Sequence, residues 1–438
     1  MNIQAKLFEL QDKEYKNFTA KLNPTIDFSC SAEKDVHQSL NDDFVGDVHP
    51  YYANGQIYLY YLATNGNFDA RLRISSDLVN YEEKELITSR LNPIGSAYFV
   101  LGVVKEGSVY RSFYGDAKQV SSSKSTDLIN WQNGMIFDED TYEKQYVASS
   151  NYPAGIRDPY AFYDPDTNKY HIIANGYKRN QNYEWSNTEG YETHIVLFTS
   201  TGSSLATWEK NPVTGNPGYN KALIKLGDWV NDDVGEPECP QMMKIGNRWY
   251  IFVSMANRSN SDHGVGRLSY FIGSENTPIL EDDWQSKEEH YLSCEDLCAA
   301  QVFEMEGKYY TLGWITRYNT SGGWGGTLNL LQEVYQNEDG TLSTKLPEEL
   351  KTKLNAGRIY TSDKIEFSST SYVEQMATGT YEKSIIDLDI DLSSQTTATG
   401  IVVKNGTKTV EIGLRKNGSV YELYLKNQGG DEKVSATY

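Results

Sequence analysis

The feature that most constrains the fold of this chain is a unit that recurs five times between residues 41 and 345. Each unit is a short turn followed by an aromatic-rich strand, with another apolar strand before the turn. A turn between two strands is the sequence signature of a β-hairpin. Repeated hairpin units of about 50 to 80 residues are typical of propeller blades. The turns are Asn54-Gly55, Glu106-Gly107, Asp166-Thr167-Asn168, Gly246-Asn247 and Glu306-Gly307.

A second recurring piece supports the repeat. Residues 75–81 (SSDLVNY) resemble residues 125–131 (STDLINW), and residues 205–208 (LATW) are a weaker third copy. We therefore predict an all-β protein whose residues 41–350 form a five-bladed β-propeller, preceded by an N-terminal extension over residues 1–40. An array of β-sandwiches is the less favoured alternative, because sandwiches would not require a repeating phase.

The chain changes character after about residue 356. Residues 384–392 (SIIDLDIDL) and 410–414 (VEIGL) alternate between apolar and polar side chains, and Asn405-Gly406 and Asn417-Gly418 are typical hairpin turns. We predict a second antiparallel domain over residues 356–438, a C-terminal β-sandwich. It is short for a sandwich, so a truncated sandwich is an alternative to a complete one.

Composition and charge exclude several classes of partner. A chain of 438 residues is too long for one ordinary hydrophobic core. Its net charge of −20 argues against binding nucleic acid or an anionic membrane surface, and no apolar stretch approaches the length of a membrane span. Neutral sugars would not be repelled, and the 33 Tyr and 8 Trp suit both sheets and carbohydrate clefts. We expect a carbohydrate partner, and the oligomeric state stays open.

The cysteines and the first residues bear on location. The four cysteines, at positions 30, 239, 294 and 298, have neither the spacing of a disulfide framework nor that of a zinc site. Free thiols fit a reducing compartment, and the chain does not begin with the basic and then apolar blocks of a signal peptide. We expect a cytoplasmic protein, or a secreted one whose signal has been removed.

Three acidic residues lie at matching places in three of the five units. Asp47, Asp158 and Glu238 each stand eleven or twelve positions before the aromatic that begins the second strand of their unit. The same count gives Phe99 and Cys298 in the other two units. A single Asp is better explained by a turn cap or an ion pair. Three acids in register favour one shared site, since the innermost strand of each blade lines the central funnel of a propeller.

Converging carboxylates are the chemistry of glycosidases. Two carboxyl groups about 5–5.5 Å apart hydrolyse a glycosidic bond with retention, one as an ionised nucleophile and the other as a proton donor. Asp47 follows a glycine that leaves it open to substrate, which favours it as nucleophile. Glu238 has little local charge in the sequence, which favours it as the acid, and Asp158 beside Arg157 suits hydrogen bonding to sugar hydroxyls. This mechanism requires no metal or cofactor.

The same residues resemble glycoside hydrolase family 32, the invertases, levanases and inulinases. Arg157-Asp158-Pro159 matches the Arg-Asp-Pro motif of the family, and Glu238-Cys239-Pro240 matches its Glu-Cys-Pro motif. Residues 296–303 (DLCAAQVF), with Gly313-Trp314 after them, are similar to an Asp-Phe-Tyr-Ala-Pro-Gln-Thr-Phe stretch that precedes a Gly-Trp pair. Residues 324–330 (WGGTLNL) stand where the family has Trp-Arg-Gly-Ala-Met-Ser-Ile.

The resemblance runs over about residues 45–345 and implies a five-bladed propeller and a retaining double displacement. It makes Asp47 the nucleophile, Glu238 the acid/base and Asp158 the transition-state stabiliser that grips the fructose hydroxyls. Spacing favours Asp47 over Asp42, because the family's nucleophile stands about nine residues before the hairpin glycine. Asp47 is eight residues before Gly55, whereas Asp42 is thirteen before it.

Several positions depart from the family pattern. Its Trp-Met-Asn-Asp-Pro-Asn-Gly motif is reduced to residues 46–50 (GDVHP), Gly325 replaces an Arg, residues 331–333 (LQE) replace Pro-Arg-Glu, and Cys298 replaces a Tyr. A divergent β-fructosidase is therefore favoured over an ordinary invertase. The candidate substrate-binding residues are Arg157, Tyr98, Phe99, Cys298, Trp314 and Trp324, of which the four aromatics are candidate sugar platforms.

Three alternatives stay open. A related five-bladed pentosidase would act on arabinosides or xylosides by inversion, with its carboxyl groups about 6.5–9.5 Å apart. A fructosyltransferase would use a sugar in place of water to resolve the intermediate. A non-catalytic carbohydrate-binding propeller is disfavoured, because all three acids are present.

Overall fold

The computed structural model describes most of the chain, with gaps, and divides it into two compact units. One unit is Cys30–Pro347, and the other combines Met1–Ser29 with Glu348–Tyr438. The described residues are 2–9, 45–63, 69–90, 102–116, 119–133, 156–179, 191–210, 220–228, 236–256, 266–293, 297–316, 326–354, 372–378, 397–405, 408–417, 420–427 and 432–437.

The larger unit is a five-bladed β-propeller, as the repeat predicted. Strand β1 (Asn2–Glu9) precedes it in the chain and belongs to the other unit. The first blade contains β2 (Val45–Ala53), β3 (Gln56–Ala63), β4 (Asp69–Ser75) and β5 (Glu82–Lys84). The second contains β6 (Ile87–Arg90), β7 (Gly102–Glu106), β8 (Val109–Asp116), β9 (Gln119–Ser125) and β10 (Asn130–Asn133).

The remaining blades repeat the same antiparallel order. The third contains β11 (Ile156–Asp164), β12 (Lys169–Arg179), β13 (Tyr191–Thr199) and β14 (Lys221–Asp228). The fourth contains β15 (Glu236–Ile245), β16 (Arg248–Ala256), β17 (Gly266–Ile272) and β18 (Glu289–Tyr291), with a 3₁₀ turn at Trp284–Ser286. The fifth contains β19 (Leu297–Met305), β20 (Lys308–Thr316), β21 (Gly326–Leu328), β22 (Gln332–Gln336) and β23 (Leu342–Lys345).

Hydrogen bonds join the fifth blade to the first. Strand β21 pairs with β20 and also with β2, through Val45 and Gly326. The last and first blades therefore share one sheet of nine strands, and the ring of blades is closed without a covalent link.

The recurring turn has a conserved hydrogen-bond pattern in its two best copies. The Asp127 carboxylate accepts bonds from the backbone N–H groups of Ile129 and Asn130, at 3.0 and 2.7 Å, and Leu128 adopts a φ of 67°. In the first copy Asp77 and Leu78 do the same. This geometry aims the Leu128 carbonyl inward. It accepts a 2.6 Å bond from the Tyr60 hydroxyl, so the turn of the second blade is tied to the first.

The apolar core lies between neighbouring blades, because each sheet packs one face against the next. Phe113 of the second blade shares a buried cluster with Phe198 of the third, and Ile173 of the third shares one with Ile251 of the fourth. Between the first two blades, Tyr60 and Trp131 meet edge to face with ring centroids 6.0 Å apart. This packing holds one strand of each blade at the centre of the ring, namely β2, β7, β11, β15 and β19.

The smaller unit contains one six-stranded antiparallel sheet, consistent with part of a sandwich. Strand β1 lies inside this sheet, paired on both sides, although the sequence analysis treated residues 1–40 as an extension. The predicted strand at 410–414 lies within the sheet, and the one at 384–392 lies outside the described residues. The elements are α1 (Glu348–Leu354), β24 (Tyr372–Thr378), β25 (Thr397–Asn405), β26 (Lys408–Asn417), β27 (Val420–Asn427) and β28 (Glu432–Thr437).

Helix α1, with seven residues, is far shorter than a membrane span, and no helix in the described part of the chain is long and apolar enough to cross a membrane.

Candidate active site

The first strands of four blades share a β-bulge, at which the pairing register with the second strand shifts. The bulge adds a residue to one strand and redirects its side chains. Its first residue has a positive φ, a conformation that non-glycine residues adopt only where the surroundings enforce it. These residues are Asp47 (φ 36°), Asp158 (φ 52°), Cys239 (φ 49°) and Ala299 (φ 43°), on β2, β11, β15 and β19.

The register corrects the positions assigned from the sequence. Asp47 and Asp158 occupy the bulge itself, whereas Glu238 is the residue before the bulge and is equivalent to Cys298. A count back from the aromatic of the second strand reached different positions because these aromatics differ in register. In the first blade, Tyr58 pairs with the residue two positions after the ladder resumes beyond the bulge. In the third, fourth and fifth blades, the corresponding aromatic pairs with the residue three positions after that point. The turn of the third blade is also longer.

The bulges nevertheless bring the three acids into one group. The backbone N–H of Cys239, next to Glu238, donates a 3.0 Å bond to Oδ2 of Asp158. Nη2 of Arg157 lies 3.9 Å from Oε1 of Glu238. Asp158 and Arg157 both act electrostatically on Asp47. Carboxylates from the first, third and fourth blades therefore share one electrostatic environment.

Asp47 has a strongly shifted acidity. It is half-buried, and burial raises its pKa to about 7, with the negative charge of Asp158 acting in the same direction. The positive charge of Arg157 and hydrogen bonding by Trp314 lower the pKa and offset part of this effect. A carboxyl group with a pKa near neutrality is typical of an active site.

The Asp158 carboxylate is held on one oxygen. Its Oδ2 accepts the bond from the Cys239 N–H and a second, 3.4 Å bond from Nδ2 of Asn175. These bonds fix its orientation between the third and fourth blades.

Glu238 is less isolated from charge than its sequence neighbours indicated. Little charge surrounds it in the sequence, which favoured the acid role, but Arg157 lies close by in the structure. Their side chains are about one-third exposed, at 33% and 29%, so solvent screens this pair and its free energy is small.

Two of the predicted substrate-binding residues are buried. Cys298 and Trp314 pack with Cys239 and Ala299 in one cluster, at 5% and 3% exposure for the two predicted residues. Neither offers an open face to a sugar in this structure, so their contact with substrate stays a prediction. Arg157 is half-buried beside Glu238. The candidates Tyr98, Phe99 and Trp324 lie outside the described residues.

Cys239 and Cys298 are buried, and neither forms a disulfide bond. Burial raises the pKa of the Cys239 thiol well above its ordinary value, and the charges of Asp158 and Asp47 add to that effect. The thiol is therefore neutral and a weak nucleophile at neutral pH. Within the described residues, no group of three or more His, Cys, Asp and Glu side chains is arranged to hold a metal ion.

Sequence reasoning did not single out His49 or Asn175. His49 follows the first-blade bulge and is buried, and burial lowers its pKa to about 4 although the charge of Asp158 opposes this. Neither ring nitrogen has a hydrogen-bond partner in the described part of the chain. The sequence signal for His49 was its place in the altered motif at residues 46–50. Nothing in the sequence marked Asn175, because its partner is seventeen residues away and depends on a bulge.

Side-chain amides lock the inner strands of the fourth and fifth blades together. Gln241 donates to the Val302 carbonyl at 3.1 Å and accepts from the Val302 N–H at 2.6 Å. Gln301 donates to the Cys239 carbonyl at 2.9 Å, and the Ala299 N–H donates to the Ser254 hydroxyl at 2.8 Å. These bonds fix the backbone that follows Glu238 on β15, and they tie Ser254, the ladder partner of Glu238, to the fifth blade.

Acids on the inner strands of a five-bladed propeller, one of them with a pKa near neutrality and all beside an arginine, define a protein of the glycosidase class.

Residues 44–345 match the N-terminal domain of glycosyl hydrolases family 32. The match covers more than half of the chain, and the protein belongs to this family and is a glycosidase.

Solved structures show the same fold. The chain is similar to the family 32 beta-fructofuranosidase BmSUC1 of Bombyx mori, with a TM-score of 0.52 and 16% identity over 91% of this chain and 87% of that chain. A mutant of the same enzyme in complex with sucrose gives a TM-score of 0.51 and 15% identity over the same shares. A comparison with curated protein sequences gave no match.

Proposed function

We propose that the protein is a retaining glycosidase that cleaves β-fructosides, with Asp47 as nucleophile, Glu238 as acid/base and Asp158 as transition-state stabiliser. The observation that carries the proposal is the grouping of these three carboxylates at the inner-strand bulges of a family 32 propeller. The family 32 beta-fructofuranosidase BmSUC1 supplies the substrate class, and a mutant of it has been solved with sucrose.

In the first step, ionised Asp47 attacks the anomeric carbon while Glu238 donates its proton to the glycosidic oxygen. The bond to the leaving sugar breaks, and a covalent fructosyl-Asp47 ester forms. In the second step, Glu238 removes a proton from water, which attacks the anomeric carbon and releases fructose. Arg157 favours the ionised form of Asp47 before attack and faces the Glu238 carboxylate that forms after proton transfer.

Asp158 fits the stabilising role because its orientation is set before substrate arrives. Both of its bonds to described residues end on Oδ2, and Oδ1 is the oxygen available to a sugar hydroxyl. A carboxylate held in place strengthens its hydrogen bonds as positive charge develops on the sugar ring, without reorganising during the reaction.

The departures from the family pattern favour a substrate other than plain sucrose. Cys298 and residues 46–50 differ from the family motifs next to the proposed nucleophile and acid. We infer a fructo-oligosaccharide, a fructan or a sucrose-like fructoside as substrate, and cytoplasmic action on it.

The test is a panel of fructosides, arabinosides and xylosides, assayed with wild type, Asp47→Asn and Asp166→Asn. Asp166 is a matched control, because it is an exposed aspartate on the hairpin of the third blade. It pairs there with Lys244 of the fourth blade. We expect fructoside cleavage by wild type and Asp166→Asn, and a loss of at least about 10⁴-fold in Asp47→Asn, since a nucleophile is removed.

Product stereochemistry separates the alternatives. With methanol as acceptor, retention gives a β-methyl fructoside, and products longer than the substrate identify fructosyl transfer. Cleavage of an arabinoside or xyloside with inversion, and of no fructoside, would overturn the proposal. Activity that survives Asp47→Asn would remove Asp47 as nucleophile.

A further inference from the structure

Asp158 is held from two directions, and one of the two donors is a residue that the reaction scheme does not use. Asn175 lies on β12, directly opposite Arg157 in the ladder with β11. Its side chain is fully buried, and its Nδ2 is 3.4 Å from Oδ2 of Asp158. The Cys239 N–H reaches the same oxygen from the fourth blade, at 3.0 Å.

The orientation of the Asn175 amide follows from the chemistry of its partner. The Nδ2 of the amide donates to Oδ2 of Asp158, so the NH₂ end of the side chain faces the carboxylate. The Oδ1 end is buried and has no partner among the described residues. The bond to Asp158 is therefore the hydrogen bond of this side chain within the described residues.

The fourth blade also has a side chain that supports a bulge residue from this ladder position. Opposite Glu238 stands Ser254, whose hydroxyl accepts the N–H of the fifth-blade bulge residue Ala299 at 2.8 Å. Asn175 bonds to the carboxylate of the bulge residue in its own blade, whereas Ser254 bonds to the backbone of the bulge residue in the next blade. In both blades, a second-strand side chain at this position supports a bulge residue.

We propose that Asn175 is a positioning residue for the glycosidase reaction. It turns Oδ2 of Asp158 toward the fourth blade and thereby presents Oδ1 to the substrate. The role of Asp158 toward the sugar rests on the proposed function, whereas the orientation of its carboxylate does not.

The kinetic test compares Asn175→Ala and Asn175→Asp with Ile172→Ala. Ile172 is fully buried on the same strand, so its variant loses stability without touching Asp158. We expect kcat to fall about 10- to 100-fold in Asn175→Ala with a smaller change in KM, because one hydrogen bond to a charged group is lost at the transition state. Asn175→Asp keeps the shape of the side chain but places a second carboxylate against that of Asp158, so kcat should fall further in this variant. Ile172→Ala should keep wild-type kcat.

The second measurement does not depend on activity. In crystal structures of wild type and Asn175→Ala, we expect the Asp158 carboxylate to rotate away from the Cys239 N–H or to take two orientations in the variant. A single wild-type orientation in the variant overturns the inference, as does a kcat equal to that of Ile172→Ala. If wild type cleaves no fructoside, the proposed function fails, and the orientation of Asp158 still decides this inference.

Discussion

The proposed nucleophile Asp47 has a shifted pKa that also makes the stability of the protein depend on pH. Its pKa is about 7 in the folded protein against an ordinary value of 3.8. The folded state therefore binds a proton more tightly than the unfolded state between about pH 4 and pH 7. Stability from this group is present at low pH, falls as pH rises through that window, and is lowest above pH 7.

We predict that Asp47→Asn is more stable than wild type at pH 8 but not at pH 4. The amide cannot ionise, so the cost of a buried charge beside Asp158 disappears. The gain should be on the order of 1–3 kcal/mol, discounted because Asp47 is half-buried. Thermal unfolding at the two pH values measures it, with Asp166→Asn as the control. An equal difference at both pH values would contradict the prediction.

The pH dependence of catalysis follows from the same group. We expect kcat/KM to rise with pH through an acid limb near 7, since the proposed mechanism requires Asp47 to be ionised. Arg157→Gln removes the positive charge that lowers the Asp47 pKa, so its acid limb should move to higher pH. A steady-state pH profile with both proteins measures the shift. An acid limb that moves to lower pH in the variant would count against this assignment.

At the scale of the element, the inner strands depend on side-chain amides as well as on packing. Gln241 satisfies both the N–H and the carbonyl of Val302 on the next blade, whereas Gln301 satisfies only the Cys239 carbonyl. All these groups are buried. The two glutamines are equivalent in register but carry unequal numbers of bonds.

We predict that Gln241→Met costs about 2–4 kcal/mol of stability and Gln301→Met about 1–2 kcal/mol, since each buried group left unpaired costs roughly 1–3 kcal/mol. Methionine keeps the length and flexibility of glutamine, so the packing change is small. Urea unfolding of both variants measures the order. Equal losses, or a larger loss in Gln301→Met, would show that the inter-blade bonds do not set the difference.

The hairpins and the bulges show which parts of the fold could be predicted from the sequence and which could not. Turns such as Asn54-Gly55 identified the hairpins correctly, because both residues take positive φ values, of 53° and 74°, that few residue types adopt. The bulges were not visible, because Asp47 and Cys239 have no residue preference in common. Placing Glu238 one residue before the bulge required the pairing register, which a count along one strand does not contain.

The acids of the site could be predicted from the sequence, whereas the residues that bond to them could not. Asp47, Asp158 and Glu238 carry motif and repeat signals, while the bonds that Asn175 and Cys239 make to Asp158 join different strands and leave no local pattern. These bonds to Asp158 depend on the assembled ring of blades. Among the predicted site residues, these three acids lie near one another in the structure. Their catalytic roles stay predictions.

At the scale of the whole molecule, the first strand of the chain completes the last sheet. Residues 2–9 alternate between polar and apolar side chains over most of their length, so a strand was readable there, but its neighbours at 372–378 and 397–405 are some 370 to 400 residues away. Both edges of β1 carry ladder hydrogen bonds.

We predict that deletion of residues 1–9 destabilises the C-terminal sheet, because β24 and β25 each lose a partner strand. Calorimetry should show the transition of the smaller unit lowered or lost and that of the propeller retained. Substitution of Lys6 by Thr is the control, as it keeps a strand-forming residue in place. Unchanged transitions in the deletion would contradict the central place of β1.

Because the pairing of Val45 with Gly326 closes the ring, the proposed active site is completed late in the synthesis of the chain. The proposed nucleophile is synthesised early, at residue 47, whereas the strand that closes the ring beside it ends at residue 328. A chain emerging from the ribosome therefore carries Asp47 for more than half of its synthesis without Trp314 and the strand that closes the ring. Nascent and prematurely terminated chains should be inactive, so completion of the fifth blade is the event that turns the glycosidase on.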